Sequence, residues 1–142
     1  MRVVEVIRRK GSEVVTVPPE AVVASLVERL AEHGIGALVV SPDGVTVVGI
    51  VSERDVVRHL RGGDAGVLSD PISSIMTAPV HTCRLEDRLE DLMATMTQRR
   101  VRHLPVLVDG VLAGIVSIGD VVRFRLEELQ SERDELHRYI TS

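Results

Sequence analysis

Two short stretches combine residue types that could do chemistry. Ser52 stands three residues before Asp55, and Ser117 three residues before Asp120, each pair between an apolar run and a segment of helical spacing. An acid at that distance after a Ser is the pattern of a capping box, in which hydroxyl and carboxylate each accept from the other residue's backbone N–H. That reading needs no ligand. The same geometry also serves recognition, because a helix N-terminus leaves unpaired N–H groups and a partial positive charge that suit a phosphate. There the Ser hydroxyl donates to a phosphate oxygen. The acid one turn on accepts from the two vicinal hydroxyls of a ribose, as an acidic residue does in dinucleotide folds.

The pairs sit in a repeat. Residues 49–58, GIVSERDVVR, recur as residues 114–123, GIVSIGDVVR, identical at eight of ten positions. Upstream the match continues at an offset of 66, pairing Val14 with Val80, Thr16 with Thr82, Leu26 with Leu92, Leu38 with Leu104 and Asp43-Gly44 with Asp109-Gly110. One extra residue after Gly44 then changes the offset to 65. An insertion beside an Asp-Gly turn is where a hairpin tolerates one.

Each copy reads as a short extended piece, a helix, two strands about the Asp-Gly turn and a second helix, that is β-α-β-β-α twice. The first helix of each copy carries Val23, Leu26, Val27 and Leu30, or Leu89, Leu92, Met93 and Met96, at helical spacing. Residues 37–40 and 47–51 are nearly continuous apolar runs, as expected of strands covered on both faces, so the two repeats are expected to pack sheet against sheet. The organisation expected is a lead-in over residues 1–13, a first repeat over 14–62, a linker over 63–73, a second repeat over 74–125 and a C-terminal helix over 126–142. Along that last helix Val122, Leu126, Leu129, Leu136 and Tyr139 or Ile140 fall near three-and-four spacing, interrupted by Arg133.

Composition excludes several function classes. The chain has 142 residues, 44% of them apolar, with no Trp and single Phe and Tyr residues, so its core is built from aliphatic side chains. No apolar run approaches the roughly 20 residues that span a bilayer, and charges in the first ten residues break any signal-peptide core, so a cytoplasmic protein without membrane association is expected. The net charge of −4, with Arg and acids interspersed, provides no basic face for nucleic acid. The five His residues lack metal-ligand spacing, and Gly34-Ile-Gly36 leads into a strand rather than the helix a dinucleotide fingerprint requires. The single Cys83 reads as a small core hydrophobe. No set of nucleophile, base and oxyanion donors emerges, so catalysis is not expected.

The doubled strand–GIVSxxD–helix pattern, with Ile75-Met76-Thr77 before the second copy and Val101-Arg102-His103-Leu104-Pro105-Val106 inside it, resembles tandem cystathionine-β-synthase-type (CBS) domains, the Bateman module. The resemblance covers residues 14–125. It implies an α/β (α+β) fold of two β-α-β-β-α repeats related by a pseudo-twofold axis, with two clefts that commonly hold adenosine compounds: AMP, ATP, NAD or S-adenosylmethionine. Carried over by position, Ser52 and Ser117 face phosphate, and Asp55 and Asp120 hold ribose. Backbone around Thr16-Val17 and Thr82-Cys83 lines the adenine, which Ile50 and Ile115 flank. Arg102 and His103 belong to the Ser117 cleft, which suits a compact phosphate such as AMP, and Pro105 is a further ligand-binding position. Gly36 and Ala37 stand at the matching positions of the first copy, leaving Arg54 as the local cation of a roomier Ser52 cleft. The function expected is a nucleotide-sensing regulatory module, without catalytic cofactor, that acts as a homodimer on a separate effector protein. The alternative is a structural dimerisation protein with vestigial clefts.

Overall fold

The computed structural model describes residues 1–141. Helix α1 (Val3–Lys10) is followed by β1 (Thr16–Val17), α2 (Val23–His33), β2 (Ala37–Val40), β3 (Gly49–Ser52) and α3 (Glu53–Arg61). Two 3-10 turns, Val67–Ser69 and Ile72–Ser74, lead to α4 (Leu89–Arg99), β4 (His103–Val108), β5 (Val111–Ser117) and α5 (Ile118–Thr141). The lead-in is thus a helix. The repeat's second helix and the C-terminal extension are one unbroken α5, so no structural break falls at residue 126.

Both copies share one topology. β1 runs parallel to β2, with Val17 opposite Val40, and β2 runs antiparallel to β3. In the second copy β4 and β5 are antiparallel, and the short extended piece is reduced to a single parallel bridge between Cys83 and Val106, the counterparts of Val17 and Val40. The turn at Asp109-Gly110 has φ of 51° and 77°, the two positive values that a two-residue hairpin loop of matching twist demands. In the first copy the inserted residue opens that turn. Asp43 rescues it by accepting from the backbone N–H groups of Val45 (2.9 Å) and Thr46 (2.7 Å). Those donors, Thr46 first, hold its carboxyl down at about 2.

Helical spacing in α2 and α4 buries Val23, Leu26 and Leu30, and Leu89, Leu92 and Met96, against the sheets. Val27 and Met93, equivalent positions that the spacing alone groups with the core, point outward instead. The apolar stripe is wider than the contact it makes. On β2, Leu38 and Val40 face this core, and Ala37 and Val39 on the opposite face are buried as well. A strand dry on both sides is covered on both sides. Across the repeats the Leu112 N–H donates to the Val45 carbonyl at 2.9 Å.

Buried side chains gather into two clusters, and each takes in the segment that precedes the other repeat. Val3 and Val6 of α1 lie fully buried with Leu89, Leu104, Val116 and Phe124 of the second repeat. Val67 and Ile72 of the linker, with Ile75 just after it, complete the first repeat's core with Val17, Leu26, Leu38 and Val51. Close approach enforces the exchange at two glycines. A Cβ on Gly114 would come within 2.7 Å of Ile7 Cδ1, and one on Gly49 would overlap Met76 Sδ.

This arrangement makes Ile72, which lies in the linker, part of the first repeat's stability. Ile72→Ala is expected to cost about 2–5 kcal/mol by urea unfolding, as for other fully buried aliphatic truncations. The amides of β2 and α2 should lose hydrogen-exchange protection first; an unchanged midpoint is incompatible with the exchanged lead-ins.

Candidate functional site

Ser52 and Ser117 each end a strand and start a helix, and both form the reciprocal cap. The Ser52 hydroxyl accepts from the Asp55 N–H (3.3 Å) while Asp55 Oδ2 accepts from the Ser52 N–H (2.8 Å). Ser117 and Asp120 do the same at 3.1 and 2.9 Å. Capping and recognition do not exclude each other here. Asp55 spends one oxygen on its cap, whereas Oδ1 accepts no hydrogen bond among the described residues and has Arg58 Nη1 at 3.6 Å.

Asp55 lies on a cleft of about 400 Å³ between the repeats. Of the residues singled out from the sequence, Gly36, Ala37, Ile50, Ser52, Arg54, Asp55, Arg102, His103 and Ser117 line it together. The expected separation into a Ser52 cleft and a Ser117 cleft bearing Arg102 and His103 therefore needs correcting. His103 pairs with Ser117 across β4 and β5, and this edge faces Ser52 and Asp55 over one continuous space.

The remaining expected residues lie off its walls. Val17 and Cys83 are buried in the two cores, and Pro105 is buried in β4. Burial pushes the Cys83 thiol up to about 12, which makes it a core side chain rather than a nucleophile. Thr16 and Thr82 adjoin these core positions, and neither lines the cleft. Ile115 and Asp120 are also off it; both are engaged by Lys10, whose ammonium donates to the Ile115 carbonyl at 2.9 Å and to Asp120 Oδ2 at 2.6 Å.

Register along the segment after the linker decides which of its residues line the cleft. The segment that meets the first repeat's GIVS strand is Thr77, which exchanges backbone hydrogen bonds with Ile50 (2.8 and 3.1 Å), and Val80 and His81 follow it along the cleft. Thr82-Cys83, expected together with Thr16-Val17 to line the adenine, follow five residues later and lie off this cleft. The missed signal was Ile75-Met76-Thr77, noted as a motif and not used as a wall.

Arginines dominate the cleft's charge. Arg54, Arg58, Arg100 and Arg102 line it, and only Arg58 has a carboxylate within ion-pair distance among the described residues. Arg100 was missed. It ends α4 in the left-handed conformation, φ 53°, where the first copy has Gly34 at φ 62°. A side chain there costs about 1–2 kcal/mol of backbone strain. His103 is held below its ordinary value by burial, against the pull of Asp120, so the ring is neutral near pH 7.

Comparison with known proteins agrees with this architecture. The family model for the CBS domain matches residues 3–62 and 72–127, and the chain belongs to the CBS-domain family. The mitochondrial CBS domain-containing protein CBSX3 of Arabidopsis thaliana is 36% identical over 118 residues; the match covers 80% of this chain and spans only 57% of that relative's length. A crystal structure of a CBS-domain containing protein from Agrobacterium tumefaciens superposes with a TM-score of 0.85 at 42% identity, covering 88% of this chain and 99% of that one. A CBS domain protein from Pyrobaculum aerophilum, solved in complex with AMP, has a TM-score of 0.72 at 27% identity over 84% of this chain and 89% of its own.

Two outcomes follow from the cleft's electrostatics. Arg100→Gly should relieve the left-handed strain and raise or preserve the melting temperature. A clear loss of stability would show that the arginine is retained for packing. His103 is neutral when folded and takes up a proton below about pH 6.5 when unfolded, so the unfolded state binds more protons there and stability falls as pH drops through that range. His103→Gln should flatten this part of a stability–pH curve measured by urea unfolding; a slope identical to the parent's would place the proton uptake elsewhere.

Proposed function

We propose that the chain is a regulatory module that holds an adenine nucleotide in the cleft between its repeats. The observation that carries this reading is a buried acceptor, Asp55, on a cleft also lined by Arg54, Arg100 and Arg102, none of which has a carboxylate within ion-pair distance among the described residues. Uncompensated guanidinium groups repel one another across a cleft unless an anion joins them, and bidentate phosphate recognition is what arginine does well. In this reading the ribose hydroxyls donate to Asp55 Oδ1, the base lies between Ile50 and the Thr77–Val80 backbone, and the phosphate meets Arg102, Arg100, Arg54 and the Ser117 end of α5.

The same charge ranks the candidate ligands. AMP and ATP complement the arginines, NAD does so through its pyrophosphate, and the cationic sulfonium of S-adenosylmethionine is disfavoured. The AMP complex of the Pyrobaculum aerophilum relative supports the adenosine choice. Nucleotide bridging both repeats biases their relative pose, and a separate effector protein reads that pose. No helix among the described residues is long and apolar enough to cross a membrane. A cytoplasmic site of action and a non-catalytic role belong to this reading.

A second reading has its own observation. Val27, Leu30, Val56 and Val57 line an outward groove between α2 and α3, and Val122, Leu126, Leu129 and Leu136 stay exposed along α5. These surfaces suit self-association, so a homodimer accompanies the nucleotide reading and would be the whole function if the cleft were vestigial.

Titration calorimetry with AMP tests the first reading. Asp55→Asn removes the anionic ribose acceptor and should weaken AMP binding by about tenfold or more, since a hydrogen bond to a charged group contributes about 1.5–3 kcal/mol. An unchanged dissociation constant leaves Asp55 with its cap alone. Light scattering should give about twice the 15.5 kDa chain mass, and truncation after Arg125 should lower dimer stability more than nucleotide affinity. A monomer at micromolar concentration would remove the dimer.

A further inference from the structure

Helix α5 outruns the fold to which it belongs. The family match stops at residue 127, and α5 continues without a break to Thr141. From Leu129 onward every described residue of it is exposed. A helical segment of that length is marginal in water when nothing packs against it.

What the helix exposes is ordered. Val122, Leu126, Leu129, Arg133, Leu136 and Ile140 follow one another at alternating steps of four and three residues, the spacing of the two core positions in a coiled-coil seam. The apolar members are all exposed, including Val122 and Leu126 where α5 still lies on the second repeat, so the stripe runs from the body to the far turns of the helix. Scattered exposed side chains need no explanation, but a continuous apolar stripe marks a surface that something covers.

Arg133 decides what covers it. A second copy laid parallel and in register would set Arg133 level with the partner's Arg133 inside the seam, where like charges lose part of their water. Turned antiparallel about Ser131, the stripe complements itself. Arg133 then lies opposite the partner's Leu129, Leu126 opposite the partner's Leu136, and Val122 opposite the partner's Ile140. The two arginine positions stand four residues apart along the axis, about 6 Å, and each aliphatic stem covers a leucine while its charge reaches water at the edge of the seam. A shift of one heptad in either direction leaves one end of each stripe uncovered.

We infer that α5 pairs antiparallel with α5 of a second copy about a twofold axis at Ser131, an isologous seam that sets the two repeat pairs at opposite ends of the paired helices. This rests on the self-association reading and gives it a surface, a register and an orientation. The helix whose first turn lines the cleft with Ile118 and Gly119 is then the one that joins the copies.

Disulfide trapping on the full chain decides it. Leu129→Cys and Arg133→Cys are made in separate chains; both positions are exposed, so neither change disturbs a core, and the buried Cys83 takes no part. After mixing and oxidation, the antiparallel seam joins a Leu129→Cys chain to an Arg133→Cys chain. Either variant alone stays uncrosslinked, because its two equivalent positions are offset by about 6 Å along the axis in addition to the gap between the helices, beyond the Cα reach of a disulfide. Light scattering on Leu136→Glu, a position 61% exposed and clear of both cores, supplies the second measurement: the dimer dissociation constant should rise about tenfold or more, with AMP affinity unchanged. Crosslinking of either cysteine variant with itself establishes parallel pairing and overturns the inference. A dimer that Leu136→Glu leaves unaffected, or the absence of a mixed crosslink, places self-association on another face and overturns it as well, while the dimer reading stands. A full chain that is monomeric at micromolar concentration refutes the dimer reading and the seam together.

Discussion

Neither repeat closes its own core. Val3 and Val6 reach the second repeat from the N-terminus, and Val67 and Ile72 reach the first from the linker, so each β-α-β-β-α unit is completed by the segment that introduces the other. A repeat of about fifty residues buries too little apolar surface to offset its chain entropy with a wide margin. Borrowing a lead-in adds fully buried aliphatic side chains at each end and makes the two units one cooperative object. It also positions the site. The linker cannot deliver Ile72 to the first core without laying Thr77 along Ile50, and α1 cannot deliver Val6 to the second without bringing Lys10 to Ile115.

The cleft inherits its chemistry from helix starts. A strand that ends in Ser and turns at once into a helix must satisfy the first N–H groups, and the reciprocal cap does so with the two residues that could also meet a nucleotide. The cap takes one oxygen of that carboxylate: Asp55 Oδ2 accepts from the Ser52 N–H, while Oδ1 has only Arg58 Nη1, at 3.6 Å, near it among the described residues. Local structure explains the spacing of Ser and Asp completely. What it leaves unexplained is the charge around them, since a cap requires no arginine, and Arg54, Arg100 and Arg102 make no ion pair among the described residues where a purely structural cleft would gain by neutral residues.

Much of this was legible before any coordinates. The eight-in-ten identity between residues 49–58 and 114–123 gave the repeat, the Asp-Gly pairs gave the hairpins, and Ser-x-x-Asp gave the helix starts. The exchange of lead-ins was not legible. Apolar spacing in α1 shows that one face must be buried and says nothing about which core buries it, because its partners Leu89 and Phe124 lie more than eighty residues away. The cleft walls suffered from the same limit. Alternation along this extended stretch does not separate Cys83, which turns into the core, from Thr77 and His81, which line the cleft. Arg100 was hidden by its backbone: a left-handed position at a helix end reads as a place for Gly, and only the structure shows an arginine held there.

Departures from symmetry are the informative part of a duplicated fold. Where the copies agree, at the caps, the parallel pairing of Val17 with Val40 and of Cys83 with Val106, and the glycines under Ile7 and Met76, folding alone requires the residue. Where they differ, folding has no preference or is opposed. Arg100 replaces a glycine at a cost in strain, Arg102 and His103 replace Gly36 and Ala37 beside a buried edge, and a lone lysine replaces the backbone pairing that Thr77 provides. The first two changes add cations around the Asp55 cleft, and the third neutralises Asp120. All three changes set apart two positions that duplication made equal, and the backbone strain at Arg100 is one that a glycine there would avoid.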